Sequence, residues 1–168
     1  AGSSNTATIT SINDDVDPIQ GVISNGGYTN DTTPSLQGGL ATSLAAGETV
    51  AVYRDGVKVG TATVTGTTWS YTDTGLENGK SYSYTVAVES AAGNPGAEST
   101  AYVINVDTTA PTQSVVISTI EDNKDPVTGT IADGGVTNDD TPELRGTLSS
   151  VLGAGEVVVI YRDGLEVG

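Results

Sequence analysis

The chain has 168 residues, 21 acidic against 6 basic side chains for a net charge of -15, 22 glycines, and no cysteine, histidine, methionine or phenylalanine. That charge repels phosphate backbones and anionic lipid heads, which argues against nucleic-acid partners and direct membrane contact. Without Cys or His there is no disulfide, no zinc or haem site of the usual kind and no Ser-His or Cys-His nucleophile. The remaining ligand atoms are oxygens, which suit hard cations and Ca²⁺ above all.

Short segments of period two, punctuated by turn residues, predict strands over 7–12, 20–24, 35–41, 48–54, 57–65, 67–72, 81–89 and 99–106, with no amphipathic helix of useful length. Asp55-Gly56 predicts a tight hairpin, because both residues accept the positive φ that such a turn needs. Trp69, the single tryptophan, is expected in the core. Along YSYTVAVES, Tyr82, Tyr84, Val86 and Val88 share one face and are expected inward. Leu76, Gly79 and Tyr82 have the spacing of a tyrosine corner, which favours an all-β, immunoglobulin-like Greek-key sandwich.

Sliding the chain by 108 positions aligns residues 9–60 with 117–168 without a gap, and 28 of the 52 positions are identical. NGGYTNDTTPSL (Asn25 to Leu36) falls on DGGVTNDDTPEL (Asp133 to Leu144), and AGETVAVYRDGVKVG on AGEVVVIYRDGLEVG. The expected organisation is a complete repeat over 1–108 and the N-terminal part of a second over 109–168. Nothing in the chain matches residues 61–108 a second time, so the second copy is expected to expose a core that such strands would cover, and the native molecule to continue beyond Gly168. No run reaches the roughly 18 apolar residues of a membrane span, and no basic-then-apolar start marks a signal peptide. Any export signal is expected elsewhere in a longer protein.

Acidic residues gather in turns beside Gly or Pro. NDDVDP carries Asp14, Asp15 and Asp17, and its copy EDNKDP carries Asp122, Asn123 and Asp125. Oxygen ligands at one- and two-residue spacings in a chain bent by Pro can converge on one Ca²⁺, although a solvated Asx turn uses the same residues. NGGYTNDTTP adds Asn30 and Asp31, with Asp139 in the copy. In a sandwich this loop lies at the pole where the last strand ends, so Asp31 and Asp107 are expected to approach each other where repeats adjoin. A plain linker after Asp107 is the alternative.

Glu89 and Asn94 flank a hairpin that Gly93, Pro95 and Gly96 already explain. No acid pair is placed as a glycosidase requires, and no enzyme activity or small-molecule substrate is expected. Tyr28, Tyr53 and Tyr71 could form a sugar-stacking face, but the second copy has Val136 in place of Tyr28. Thr61, Thr63 and Thr65 read as exposed β-branched residues of one strand. Asn30-Asp31-Thr32 is a formal glycosylation sequon that the second copy lacks.

ITSINDDVDP, NGGYTNDTTPSLQG, AGETVAVYRDGVKVGTATV, GTTWSYT, AGN and VDTTAP together resemble the tandem bacterial Ig-like repeats of giant surface adhesins. These include the biofilm-associated and RTX adhesins of Gram-negative bacteria, and the chain especially resembles the extender region of an ice-binding adhesin. The resemblance implies an extracellular stalk of neighbouring, near-identical repeats that projects adhesive domains from the cell surface. It also implies Ca²⁺ in and near the junctions, which carries over to Asp14, Asp15, Asp17, Asp31 and Asp107 and to the counterparts Asp122, Asp125 and Asp139. A carbohydrate-binding sandwich is the alternative.

Overall fold

The computed structural model describes residues 2–168. The chain forms two compact units that divide after Thr109. No residue among those described is helical.

Unit 1 is a sandwich of two five-stranded sheets. β1 (Ala7–Asp14), β2 (Gly21–Ile23), β4 (Ser35–Leu40), β7 (Thr63–Thr65) and β8 (Thr68–Thr72) form one, in the order β2-β1-β4-β8-β7. The other is β3-β10-β9-β5-β6, from β3 (Gly27–Thr29), β5 (Thr49–Arg54), β6 (Val57–Thr61), β9 (Ser81–Glu89) and β10 (Tyr102–Val106). All its pairings are antiparallel except β3 with β10, which run parallel in the register Ile104 to Gly27 and Val106 to Thr29. This is the immunoglobulin-like all-β architecture that the alternating sequence predicts.

The inner faces meet in one core. Ile12, Leu36, Val50, Val52, Tyr84, Val86, Val88 and Ile104 have no exposed surface, and Trp69 retains 3%. Each such apolar side chain contributes about 1.5 to 3 kcal/mol by leaving water. The Tyr82–Val88 alternation points inward as expected, while Ala87 and Glu89 on the other face of β9 are buried as well. β9 is a central strand, paired along both edges with β5 and β10, and Lys58 and Tyr53 lie against Glu89 on its outer face. The tyrosine corner is present, with the Tyr82 hydroxyl accepting the Glu77 N–H at 2.9 Å. The β5–β6 turn has φ +54° at Asp55 and +78° at Gly56, the two positive values of the expected hairpin.

Two segments differ from the sequence expectation. Residues 57–65 are two strands in different sheets, because the chain crosses the sandwich at Ala62, which is buried and donates its N–H to Val50 O. Thr61 therefore does not share a face with Thr63 and Thr65. The 20–24 strand likewise ends at Ile23, and after a turn with φ +84° at Gly26 the chain joins the opposite sheet as β3.

Unit 2 contains β11 (Val115–Asp122), β12 (Gly129–Thr130), β13 (Glu143–Leu148), β14 (Tyr161–Arg162) and β15 (Leu165–Glu166). β11 pairs with β13 in the register of β1 with β4: Ile12 faces Leu36, and Ile120 faces Leu144. Even the irregularity between Ile9 and Ser11 recurs between Ile117 and Thr119. The β14–β15 turn repeats the hairpin geometry, with φ +53° at Asp163 and +80° at Gly164. Leu144 and Leu148 are exposed, whereas their unit 1 counterparts Leu36 and Leu40 are buried.

Gly38 shows how tightly unit 1 is packed. A Cβ there would stand 2.5 Å from the Trp69 ring and collide with Thr8 O, the carbonyl that accepts the indole N–H at 3.1 Å. At Gly39 the nearest atom, Thr67 O, would be at an ordinary 3.6 Å. Gly38→Ala is therefore expected to cost unit 1 about 3 kcal/mol in urea unfolding, and Gly39→Ala less than about 1 kcal/mol.

Candidate functional site

The sequence-predicted acids of the first copy come together at one end of unit 1, where β1, β3 and β10 all terminate. β1 ends at Asp14 and β3 at Thr29, and two residues further on is Asp31. Asp14 is 7% exposed and Asp31 1%. Burial of this kind requires donors, and the local chain supplies them.

Asp14 Oδ1 accepts the Val16 N–H at 2.7 Å, and its Oδ2 accepts the Thr29 hydroxyl. Thr29 Oγ1 in turn accepts the Asp31 N–H at 3.0 Å. Asp31 Oδ1 accepts the Thr33 N–H at 2.7 Å and its hydroxyl at 3.1 Å, and Oδ2 accepts the Asp15 N–H at 3.4 Å. The Thr29 hydroxyl thus uses its hydrogen on one carboxylate and a lone pair on the residue bearing the other.

Around this pair, Asp15 and Asp17 are exposed. Asn30 donates its side-chain amide to Asp17 O at 2.8 Å, which holds the two acidic turns together, and Gln20 donates to Asp17 Oδ1 at 3.1 Å. Asp107 borders the same end: its N–H bonds Thr29 O at 2.9 Å, while its carboxylate accepts the Thr109 N–H at 3.0 Å. The expected proximity of Asp107 to the Asp31 loop holds within unit 1, through backbone rather than through facing carboxylates.

The same network recurs in unit 2. Asp122 Oδ2 accepts the Thr137 hydroxyl at 2.6 Å, and Thr137 Oγ1 accepts the Asp139 N–H at 2.9 Å. Asp122 Oδ1 accepts the Lys124 N–H, and Asp139 accepts the N–H groups of Asn123 and Thr141. Those two backbone donors hold the Asp139 carboxyl below its ordinary value. Asn123 takes part through its main chain, and Asn138 repeats the Asn30 role by donating to Asp125 O at 2.8 Å.

Thr29 and Thr137 join the two acids of each network, and the sequence analysis does not single them out. Their signal lies in the alignment of the two copies, where Thr29 and Thr33 are retained together with Asp14 and Asp31. None of the ion pairs formed by the described residues reaches Asp14, Asp31, Asp122 or Asp139. The ligand atoms at each network are hard oxygens; no ion pair of the described residues reaches the network of unit 1, while in unit 2 Lys124, paired with the neighbouring Asp140, also helps to lower Asp139. No three acidic side chains among the described residues stand close enough together to hold a metal ion by themselves.

Charged groups elsewhere in unit 1 are engaged structurally. Asp73 is buried and accepts Arg54 Nη1 at 2.7 Å and the Tyr84 hydroxyl at 2.6 Å, and burial beside that carboxylate pushes the Tyr84 phenol up. Glu89 accepts Lys58 Nζ and the Tyr53 hydroxyl, and the lysine holds its carboxyl below the usual range. Tyr53 and Tyr71 lie in opposite sheets, and the Tyr71 hydroxyl is spent on Val59 O, so they form no common sugar-stacking face with the half-exposed Tyr28. A groove of about 420 Å³ on the β1-β4-β8-β7 sheet is lined by Ser11, Gln37, Thr63, Thr65 and Ser70 and contains no carboxylate.

A family model described as a bacterial Ig-like domain matches residues 6–108. Among curated proteins the chain is similar to Exoglucanase B of Cellulomonas fimi, 46% identical over 72 residues, a match covering 40% of this chain and 6% of that protein. No solved structure matches.

Thr29→Val removes both the donor to Asp14 and the acceptor of the Asp31 N–H, and is expected to cost unit 1 about 2 to 3 kcal/mol. Thr29→Ser keeps both and should cost less than about 1 kcal/mol in the same chemical unfolding. Lys58→Ala should cost about 1 kcal/mol at pH 7, a value reduced by the lysine's partial exposure. Because Lys58 holds the folded Glu89 carboxyl below the ordinary carboxylate range, the ion pair's contribution is complete above that range. It is lost as pH falls through the depressed value, so the wild-type and Lys58→Ala unfolding curves should converge in acid.

Proposed function

The chain belongs to the bacterial Ig-like domain family, and on that premise we propose that it is a non-catalytic extender from a long extracellular adhesin, in which neighbouring near-identical repeats project distal adhesive domains from a bacterial surface. The observation that carries this reading is the Asp-Thr-Asp network. It recurs in both units with the same donors and acceptors 108 positions apart, as expected of a module built for tandem use. The match to Exoglucanase B supports a non-catalytic accessory role, since it is confined to a small fraction of that protein.

Calcium belongs to the same proposal. The donor chemistry fits: Asp14 and Asp31, with Asp122 and Asp139 in unit 2, would hold the ion, and Asp15, Asp17, Asn30 and Asp107, with Asn123 and Asp125 in unit 2, border those positions. Bound Ca²⁺ would supply a positive charge that no ion pair of the described residues brings to the four carboxylates, and would take the further oxygen ligands it requires from water or from neighbouring chain. The chain's own contribution is to bury two carboxylates at each such end and to fix them with backbone N–H groups, so that they cannot rotate away from each other.

Small-angle scattering of a chain with two complete repeats, with millimolar CaCl₂ and then with excess EGTA, tests the reading. A longer maximum dimension in calcium supports a stiffened extender, and equal dimensions contradict the calcium part. The Exoglucanase B match favours one other reading, a carbohydrate-binding module. Retention of the chain on insoluble cellulose or on a glycan array would establish it in place of the extender.

A further inference from the structure

The last residues of unit 1 are held more firmly than a connecting segment requires. Beyond the end of a strand, backbone N–H groups ordinarily turn to water and the chain loses direction within a residue or two. Here every N–H from Val106 to Thr109 has a protein acceptor. Val106 donates to Lys80 O at 2.8 Å and Asp107 to Thr29 O at 2.9 Å. Thr108 donates to the side-chain oxygen of Asn78 at 2.8 Å, and Thr109 to the Asp107 carboxylate at 3.0 Å.

Asn78 is the residue that extends this order past β10. Its Oδ1 accepts the Thr108 N–H while its Nδ2 donates to the Thr109 hydroxyl at 2.8 Å, so one planar amide grips two consecutive residues. The loop that carries Asn78 is itself anchored. Glu77 donates its N–H to the Tyr82 hydroxyl of the tyrosine corner, and Gly79, at φ +77°, donates its N–H to Val106 O. A continuous path therefore runs from the core tyrosine, through the 77–80 loop, to the point where the chain leaves the unit. A plain strand end accounts for the bonds of Val106, but not for an amide aimed at Thr108 and Thr109.

We propose that Asn78 is a positioning residue that fixes the direction in which the chain leaves unit 1, acting as a clamp built from the tyrosine-corner loop and independent of any metal ion. The proposal deepens the extender reading and rests on it for its purpose, because the exit direction of one module sets the path of the next. Its geometry stands on unit 1 alone.

The test is amide hydrogen exchange and ¹⁵N relaxation at Thr108 and Thr109 in the 168-residue chain, in EGTA, so that failure of the calcium reading leaves the result unaffected. Asn78→Ala is expected to raise exchange at Thr108 about tenfold and to bring fast motion to Thr108 and Thr109. The thermal midpoint of unit 1 should move by less than about 3 °C, since both bonds lie at the surface. Asn78→Asp restores protection at Thr108, because a carboxylate accepts both the Thr108 N–H and the Thr109 hydroxyl. Thr109→Val leaves Thr108 protected and mobilises Thr109 alone. Unchanged exchange in Asn78→Ala overturns the proposal. So does loss of protection in Asn78→Asp as complete as in the alanine variant, or a collapse of the unit 1 midpoint that would make Asn78 a general support of the fold. Binding of the chain to glycans would remove the extender purpose while leaving these exchange rates as they are.

Discussion

The acidic end of each unit depends on a threonine hydroxyl between two buried aspartates. In unit 1, Thr29 gives its hydrogen to Asp14 and takes the N–H of Asp31, so a residue at the end of β1, one at the end of β3 and a loop between sheets are fixed relative to one another. Carboxylates this far from water are costly unless each oxygen finds a donor, and here the donors are backbone N–H groups of the two turns together with the Thr29 and Thr33 hydroxyls. The turns consequently have little freedom to adopt other shapes. The recurrence of the arrangement around Thr137 indicates that it is set by local sequence, since unit 2 reaches it with a much less buried apolar face.

Around that end the fold concentrates what an extender would use. β10 runs parallel to β3 and delivers Asp107 beside the Asp31 loop. The tyrosine corner brings the 77–80 loop to the same strand end, where Gly79 and Asn78 take hold of the departing chain. Asp73, with Arg54 and Tyr84, ties the start of the β8–β9 connection into the core beneath it. Burial of apolar side chains stabilises the sandwich, while hydrogen-bonded polar groups determine the geometry of its exit.

Much of this was legible in the sequence wherever a short-range rule governs. The period-two face of β9, the Asp55-Gly56 hairpin, the tyrosine corner and the buried Trp69 each follow from side-chain alternation or turn chemistry. The crossing at Ala62 was not legible, because the one glycine of residues 57–65, Gly60, lies inside β6 rather than at the crossing, and only the sandwich determines that the strand changes sheets. β3 was hidden for a related reason: its partner β10 lies far along the chain, and Asn25-Gly26-Gly27 reads locally as a turn. At the acidic end the carboxylates were conspicuous, whereas the role of Thr29 depends on two residues distant from each other in sequence. The Asp107 carboxylate illustrates the limit of reading proximity alone, since it bonds its own following turn rather than Asp31.

The measurement that bears most directly on this account is native-state hydrogen exchange of the Asp31 and Thr33 amides in calcium-free buffer. Both belong to a surface loop, and both donate into the Asp-Thr-Asp network. The account predicts that they exchange only with global unfolding of unit 1, at the same free energy as the central β9 amides. Exchange at the rate of an unstructured loop, with β9 still protected, would contradict it.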